Sequence, residues 1–417
     1  MLSRVCRSWR LLVLNAPKLW SAFQIEVAGA ATATLSLHDL KTMATMRLWL
    51  KQSRQYPLSV RLIHIPVGRG PDERSAGLLS ALIPEARRWR HVQFIMPQEN
   101  LAAFHHLPAS HFPMLESCTI QSKSFWTSVP STDVSWPNLP WHQLTSLDLE
   151  FQHRNLPSLD KCLNILSQAE RLTRCTINSD CSLDPLSIPT ENVSLPSLGT
   201  LHLILQGGNN MANAGVVGRP ETSLMHFLNS LSLPQLHTLR IEWLVQQTEV
   251  RTWTAEYPSF LTFLRGVAHN VQTVGLAYLP LTERQLLECL HELPYVTDLE
   301  LKYSMSDVEH DPITERFLAA LTWPSKISQP SDSAPLLPSL QCFNLQCSGK
   351  RFADIALLAF LQSRWRVGTR HQDSVGRRHL KLFHLFSLHQ VYPEVEKHVH
   401  SWNGEGMAVV LDSLVIR

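Results

Sequence analysis

Apolar and polar positions alternate along this chain in a short pattern that returns many times. In Leu293-Pro294-Tyr295-Val296-Thr297-Asp298-Leu299-Glu300-Leu301, an apolar residue is followed by apolar residues three and five positions later. The same layout, led by a Leu-Pro pair, begins at Leu195, Leu233 and Leu337. Cores without that lead begin at Leu115, Leu144, Leu172 and Val271, and a weaker one at Trp89. The nine starts are 89, 115, 144, 172, 198, 236, 271, 296 and 340, with successive steps of 26, 29, 28, 26, 38, 35, 25 and 44. Alternation of this kind predicts a strand whose +3 and +5 side chains enter a core while those at +2, +4 and +6 face out.

Helical spacing fills the gaps between the strands. Leu159, Cys162, Leu163 and Leu166 fall at i, i+3, i+4 and i+7, as do Leu224, Phe227, Leu228 and Leu231, and Phe260, Phe263, Leu264 and Val267. Thr282-Glu283-Arg284-Gln285 reads as a capping box that starts another helix. Earlier, Leu37, Leu40, Met43, Ala44 and Leu48 predict a helix over 35–50, Leu58, Val60 and Leu62 a strand, and Ser75–Ile83 a helix. One unit is therefore strand, loop, helix and return. Most of its steps lie in or beside the leucine-rich-repeat period of about 20–29 residues. No single unit buries both its strand and its helix, so units must stack. Parallel strands sit ~4.8 Å apart and packed helices ~8–10 Å apart, which predicts an α/β leucine-rich-repeat solenoid with its sheet on the concave side.

Three stretches break the period: Ser124–Pro140, Gln206–Pro220 with its Gly207-Gly208-Asn209-Asn210, and the serine-bearing Trp323–Pro338, which reads as disordered. The pattern weakens after Arg364, where Leu380–Leu388 and Met407–Ile416 are expected to close the array. The expected organisation is 1–27 as a short helical segment, 28–110 as a lead-in with the first repeats, 111–363 as repeats with insertions, and 364–417 as a cap.

The N-terminal segment differs from the rest. A helix through Leu2-Ser3-Arg4-Val5-Cys6-Arg7-Ser8-Trp9-Arg10-Leu11-Leu12-Val13-Leu14 sets Leu2, Val5, Cys6, Trp9 and Leu12 or Val13 on one face, with Arg4, Arg7 and Arg10 on a neighbouring one. Asn15-Ala16-Pro17 stops it, and Leu19-Trp20 adds a bulky apolar pair. So short a helix is marginal alone and must dock on something. Two readings stand: Trp9 and Trp20 plug the first repeat as a cap, or they bind a partner.

Composition narrows the function. Of 417 residues, 44% are hydrophobic and 17% charged, as in a folded, core-rich chain. A net charge of +2 gives no electrostatic case for nucleic acid. No apolar run approaches a membrane span, and Leu11–Leu14 is too short for a signal peptide. The eight cysteines form no CxxC pair, and Cys118 and Cys175 take core positions, so they read as reduced thiols of a cytoplasmic or nuclear protein. Gly68-Arg69-Gly70-Pro71 lacks the Lys-Ser/Thr of a phosphate loop, and neither GxSxG nor HExxH occurs. The histidine groups (His105, His106, His111; His379, His384, His389) lack ligand spacing, and Cys342 and Cys347 have no second pair. No cofactor or metal is expected, and no catalytic residue stands out. The outward strand positions include Ser146, Asp148 and Glu150; Thr200, His202 and Ile204; Thr238, Arg240 and Glu242; and Asp298, Glu300 and Lys302. That mixed-charge surface suits a protein partner better than a polyanion, and each residue taken singly is as well explained by plain solvation.

Val5-Cys6-Arg7-Ser8-Trp9-Arg10 followed by Pro17-Lys18-Leu19-Trp20 resembles the second half of an F-box. With Leu48-Trp49-Leu50 and Pro57-Leu58-Ser59-Val60-Arg61-Leu62, the chain is similar to the F-box proteins of mushroom-forming fungi that carry long leucine-rich arrays. That family's F-box opens with a Leu-Pro turn and further helix upstream, whereas this chain begins inside the motif. The expectation is either a shortened gene model or a protein that has lost that half. The resemblance implies an adaptor of an SCF-type ubiquitin ligase. Val5, Cys6, Trp9, Leu12, Leu19 and Trp20 would meet the ligase linker protein and, through it, a cullin, while the array holds a protein substrate. The alternatives are a leucine-rich scaffold whose F-box half is only a cap, and an enzyme, for which the sequence offers no convergent site.

Overall fold

The computed structural model describes residues 6–27, 37–65, 74–122, 137–151, 156–181, 192–207, 220–245, 253–323, 336–365, 379–388 and 392–413. Val5, the Gly68–Pro71 stretch, most of the three insertions and the last residues through Ile416 lie outside them. The chain divides into two compact units. One comprises Met1–Pro157, Lys161–Asp180 and Ser194–Ser197, and the other Ser158–Asp160, Cys181–Val193 and Leu198–Arg417.

In the first unit, six strands pair in parallel and in chain order: β1 (Ala22–Val27), β2 (Leu58–His64), β3 (Trp89–Met96), β4 (Ser117–Ser122), β5 (Ser146–Glu150) and β6 (Arg174–Asp180). Helix α1 (Arg7–Leu14) precedes them, α2 (Leu37–Gln52) joins β1 to β2, α3 (Arg74–Leu82) follows β2, and the four-residue α4 (Ala102–His105) follows β3. Helix α5 (Leu159–Leu166) leads into β6.

In the second unit, β8 (Thr200–Gly207), β10 (Thr238–Val245), β11 (Thr273–Ala277), β12 (Asp298–Lys302), β13 (Cys342–Cys347), β14 (Leu382–Ser387) and β15 (Ala408–Ser413) again pair in parallel and in order. One helix bridges each step: α6 (Pro220–Asn229), α7 (Tyr257–Val267), α8 (Glu283–His291), α9 (Glu315–Leu321), α10 (Asp354–Trp365) and α11 (Pro393–Gly404). The two-residue strands β7 (Val193–Ser194) and β9 (Leu231–Ser232) complete the set, with Val193 N–H donating to the Ser230 carbonyl (2.8 Å). The chain is thus α/β, built of parallel strands with helical returns. A parallel sheet is ordinarily covered on both faces. Here β5, β8, β12 and β13 alternate a buried residue with a half-exposed one, so one face is packed and the other open along them.

All nine sequence triplets are buried to 2% exposure or less. The Leu-Pro lead is a turn: the N–H groups of Leu236, Val296 and Leu340 donate to the carbonyls of Leu233, Leu293 and Leu337, each at 3.3 Å. Proline presets the second turn residue and gives up a donor that the turn does not use. The residue after each triplet start then organises the next unit. The Gly199 carbonyl accepts from His237 and Thr238, His237 from Gln272 and Thr273, Gln272 from Thr297 and Asp298, Thr297 from Gln341 and Cys342, and Gln341 from Lys381 and Leu382. This ladder fixes the register in which every +3 and +5 side chain lands in the core. A one-residue slip would turn each apolar set outward.

The structure corrects three expectations. In α2 the buried side chains are Met46 and Leu50, whereas Leu40 and Leu48 are exposed. Leu231 belongs to β9 and is only half-buried, because α6 ends at Asn229. The region after Arg364 holds a further full copy, Leu380, Phe383 and Leu385, all at 0% exposure. The capping box stands as read: Thr282 Oγ1 accepts from Gln285 N–H, and the Gln285 side chain returns to Thr282 N–H.

Candidate functional site

Two surfaces carry the residues that sequence reasoning singled out. The first is the α1 segment. Cys6 caps α1, its Sγ accepting from Trp9 N–H at 3.5 Å. The chain turns at Asn15, and a 3-10 turn follows over Pro17–Trp20. Trp20 Nε1–H donates to the Val13 carbonyl (2.8 Å), and Val13 itself is buried. Ser59 N–H donates to the Ser21 carbonyl (2.8 Å), which ties this turn to β2. With Val13 and Trp20 facing inward, the other bulky side chains face out: Trp9 is 50% exposed, Leu12 67% and Leu19 57%. Leu11 joins them, a residue the sequence reading did not single out. Leu12 and Val13, interchangeable in the helical pattern, go to opposite sides. Trp20 is half-buried against its own segment, and Val5 lies outside the described residues.

The second surface is the open face of the second unit. Register aligns His202, Arg240, Gly275, Glu300, Asn344 and His384 in one row, and Ile204, Glu242, Ala277, Lys302, Gln346, Phe386 and Asp412 in the next. His202, Arg240, Glu242, Asp298, Glu300 and Lys302 come together here. His202 Nε2 meets Glu242 Oε1 at 3.1 Å, and Lys302 Nζ meets Glu300 Oε1 at 2.5 Å. Arg240 reaches Glu300 at 3.6 Å across the whole of β11. It passes over Gly275, where an added Cβ would stand 2.9 Å from Arg240 Cγ.

Electrostatics follow from these contacts. The His202 hydrogen bond, aided by the charges of Lys302 and Arg240, holds the Glu242 carboxyl below the usual glutamate value despite its partial burial. Asp298 accepts from Thr297 Oγ1 at 2.6 Å. Burial first, and then Asp298, push the Cys342 thiol up to about 11, which disfavours its thiolate at neutral pH. At the far end, His384 Nε2 meets Asp412 Oδ2 at 2.8 Å. Counting the +4 and +6 positions of every copy would have found Gly275 and Gln346, and His384 once Leu380 is taken as a further copy. Asp412 carried no such signal, because its strand lacks the triplet.

Asp148 and Glu150 belong to the first unit. There Gln121 Nε2 donates to both, at 3.3 and 3.2 Å. The same unit holds a serine–histidine contact, His64 Nδ1 at 2.8 Å from Ser75 Oγ, with Asn100 Nδ2 donating to that oxygen at 2.6 Å. His64 and Ser75 are both at 0% exposure, and the contact joins β2 to α3. Among the described residues no group of three His, Cys, Asp or Glu could hold a metal ion. No described helix is long and apolar enough to cross a membrane. Compared with known proteins, the chain matches no protein-family model and no curated protein.

Proposed function

We propose that this protein is a substrate-recognition adaptor of an SCF-type ubiquitin ligase, with α1 and the following turn meeting the linker protein and a leucine-rich array holding a protein substrate. One observation carries the reading: Trp9, Leu12 and Leu19 stand exposed on a segment in which Val13 is buried, Trp20 closes back on the Val13 carbonyl, and the Ser21 carbonyl accepts from Ser59 N–H of β2. Large apolar side chains held in water need cover, and a core capped by its own N-terminus would have buried them. The segment resembles the second half of an F-box, and the residues that would contact the linker are Val5, Cys6, Trp9, Leu12, Leu19 and Trp20, of which Trp9, Leu12 and Leu19 are the bulky side chains that face water. The leucine-rich reading draws on the repeat period, the buried triplets and the covering of one sheet face by helices. The protein would do no chemistry itself. It would raise the local concentration of substrate beside the ligase's catalytic subunits.

The test is capture of purified SCF linker protein by the tagged full chain. The expected result is retention by the native chain and, for Trp9→Ala/Leu12→Glu, a loss of at least about tenfold in affinity, as for a central aromatic anchor. Retention unchanged by that double substitution, or absent with the native chain, would overturn the reading.

A further inference from the structure

We propose that the open sheet face of the second unit docks a basic, apolar-bearing segment of a partner protein. This names the chemistry of the substrate that the adaptor would hold, and as a substrate site it rests on the adaptor reading. The first support is charge. The face presents four carboxylates, Glu242, Asp298, Glu300 and Asp412, against two fixed cations, Arg240 and Lys302. The chain as a whole carries a net charge of +2. The face is therefore opposite in sign to the molecule that bears it, a contrast that steers basic partners to this place and repels acidic ones. Both fixed cations already converge on Glu300, while Glu242 and Asp412 hydrogen-bond only to imidazoles among the described contacts.

The second support is apolar and independent of charge. At the β14–β15 end, the outward positions are Leu382, Phe386, Ala408 and Val410. Leu382 and Phe386 are half-buried, and Ala408 and Val410 exposed, Val410 at 40%. An open sheet face should carry polar residues at these positions, as β12 and β13 do at Glu300, Lys302, Asn344 and Gln346. An apolar strip beside a carboxylate-rich field fits a segment with apolar side chains at one end and lysine or arginine at the other. The strip supplies buried contact area, and the field supplies register and selectivity.

The probe is a fluorescent Leu/Lys peptide of about 16 residues, with its Leu/Glu counterpart as control, titrated against the full chain by anisotropy. The Leu/Lys peptide should bind saturably and more weakly as salt rises, and the Leu/Glu peptide should not bind. Glu300→Gln and Glu242→Gln should each weaken binding by about fivefold, the loss of one contact among several. Phe386→Ala/Val410→Thr should do the same at the other end. Asp412→Asn, on an exposed position, serves should a central substitution impair folding. Equal binding of both peptides, or Leu/Lys binding indifferent to every one of these substitutions, overturns the proposal. The same preparations are assayed for the linker protein. Linker binding without peptide discrimination defeats this inference alone, and discrimination without linker binding defeats the adaptor reading alone.

Discussion

Arg240 reaches Glu300 because Gly275 stands between them without a side chain. A Cβ there would press on the root of the arginine stem, which has little room to move. Gly275→Ala should therefore uncouple the pair. A double-mutant cycle of Arg240→Ala and Glu300→Ala should return a coupling of about 0.2–1 kcal/mol in the native background, the range for a partly exposed ion pair, and none in the Gly275→Ala background. Equal coupling in both backgrounds would show that the stem has another path. This contact also marks what single residues disclose. That Arg240, Glu242, Glu300 and Lys302 point outward was legible, because alternation fixes the side of the sheet. Their pairing was not, because it skips a strand and depends on the register between units and on a missing side chain. Gln121, bridging Asp148 and Glu150 on the adjacent strand, went unseen because that contact too depends on the register between units.

Among elements, α10 shows how an irregular connection is held. Arg364 is at 0% exposure, its Nε donating to the Leu321 carbonyl (2.9 Å) and its Nη1 and Nη2 to those of Leu337 and Leu336 (2.6 Å each). Its guanidinium also lies 4.7 Å from the Trp323 ring centroid. Burial pulls its pKa down to about 9. Leu321 ends α9 just before the Trp323–Pro338 stretch, and Leu336 and Leu337 lie near the end of that stretch, so one side chain binds carbonyls at both of its ends. Leu337 holds a φ of 50°, strained for a bulky residue and sustained by that grip. Arg364→Leu should cost at least about 3 kcal/mol, since it leaves buried carbonyls without donors. Urea unfolding measures this, and a loss under about 1 kcal/mol would contradict the role. The sequence placed the helices well where one apolar stripe was available, as in α5 and α7. It misplaced the buried face of α2, whose apolar residues occur on several sides, so that tertiary contact rather than periodicity selects Met46 and Leu50. It also read Leu380–Leu388 as part of a cap and not as a copy of the triplet, because the 40-residue step from Leu340 to Leu380 hides the period.

For the whole molecule, the α/β character and the order of the parallel strands followed from a pattern of three apolar positions, since only stacked units bury them all. The first and second units repeat the same logic, and neither needs a different kind of core. Function was less legible. The open face carries charge that a plain solvated sheet would also carry, and its excess of carboxylates and its apolar end emerge only when all seven strands are in register. The α1 segment drew notice through its resemblance to an F-box. The structure adds which residues of that segment face water and which hold it down.

The account turns on whether that surface meets the ligase. Amide hydrogen exchange across Arg7–Trp20, measured on the full chain with and without purified SCF linker protein, tests it most directly. The account predicts slowed exchange over α1 and the Pro17–Trp20 turn when the linker is present, and native-rate exchange there for Trp9→Ala/Leu12→Glu under the same conditions. Exchange over this segment that does not change at saturating linker would contradict it.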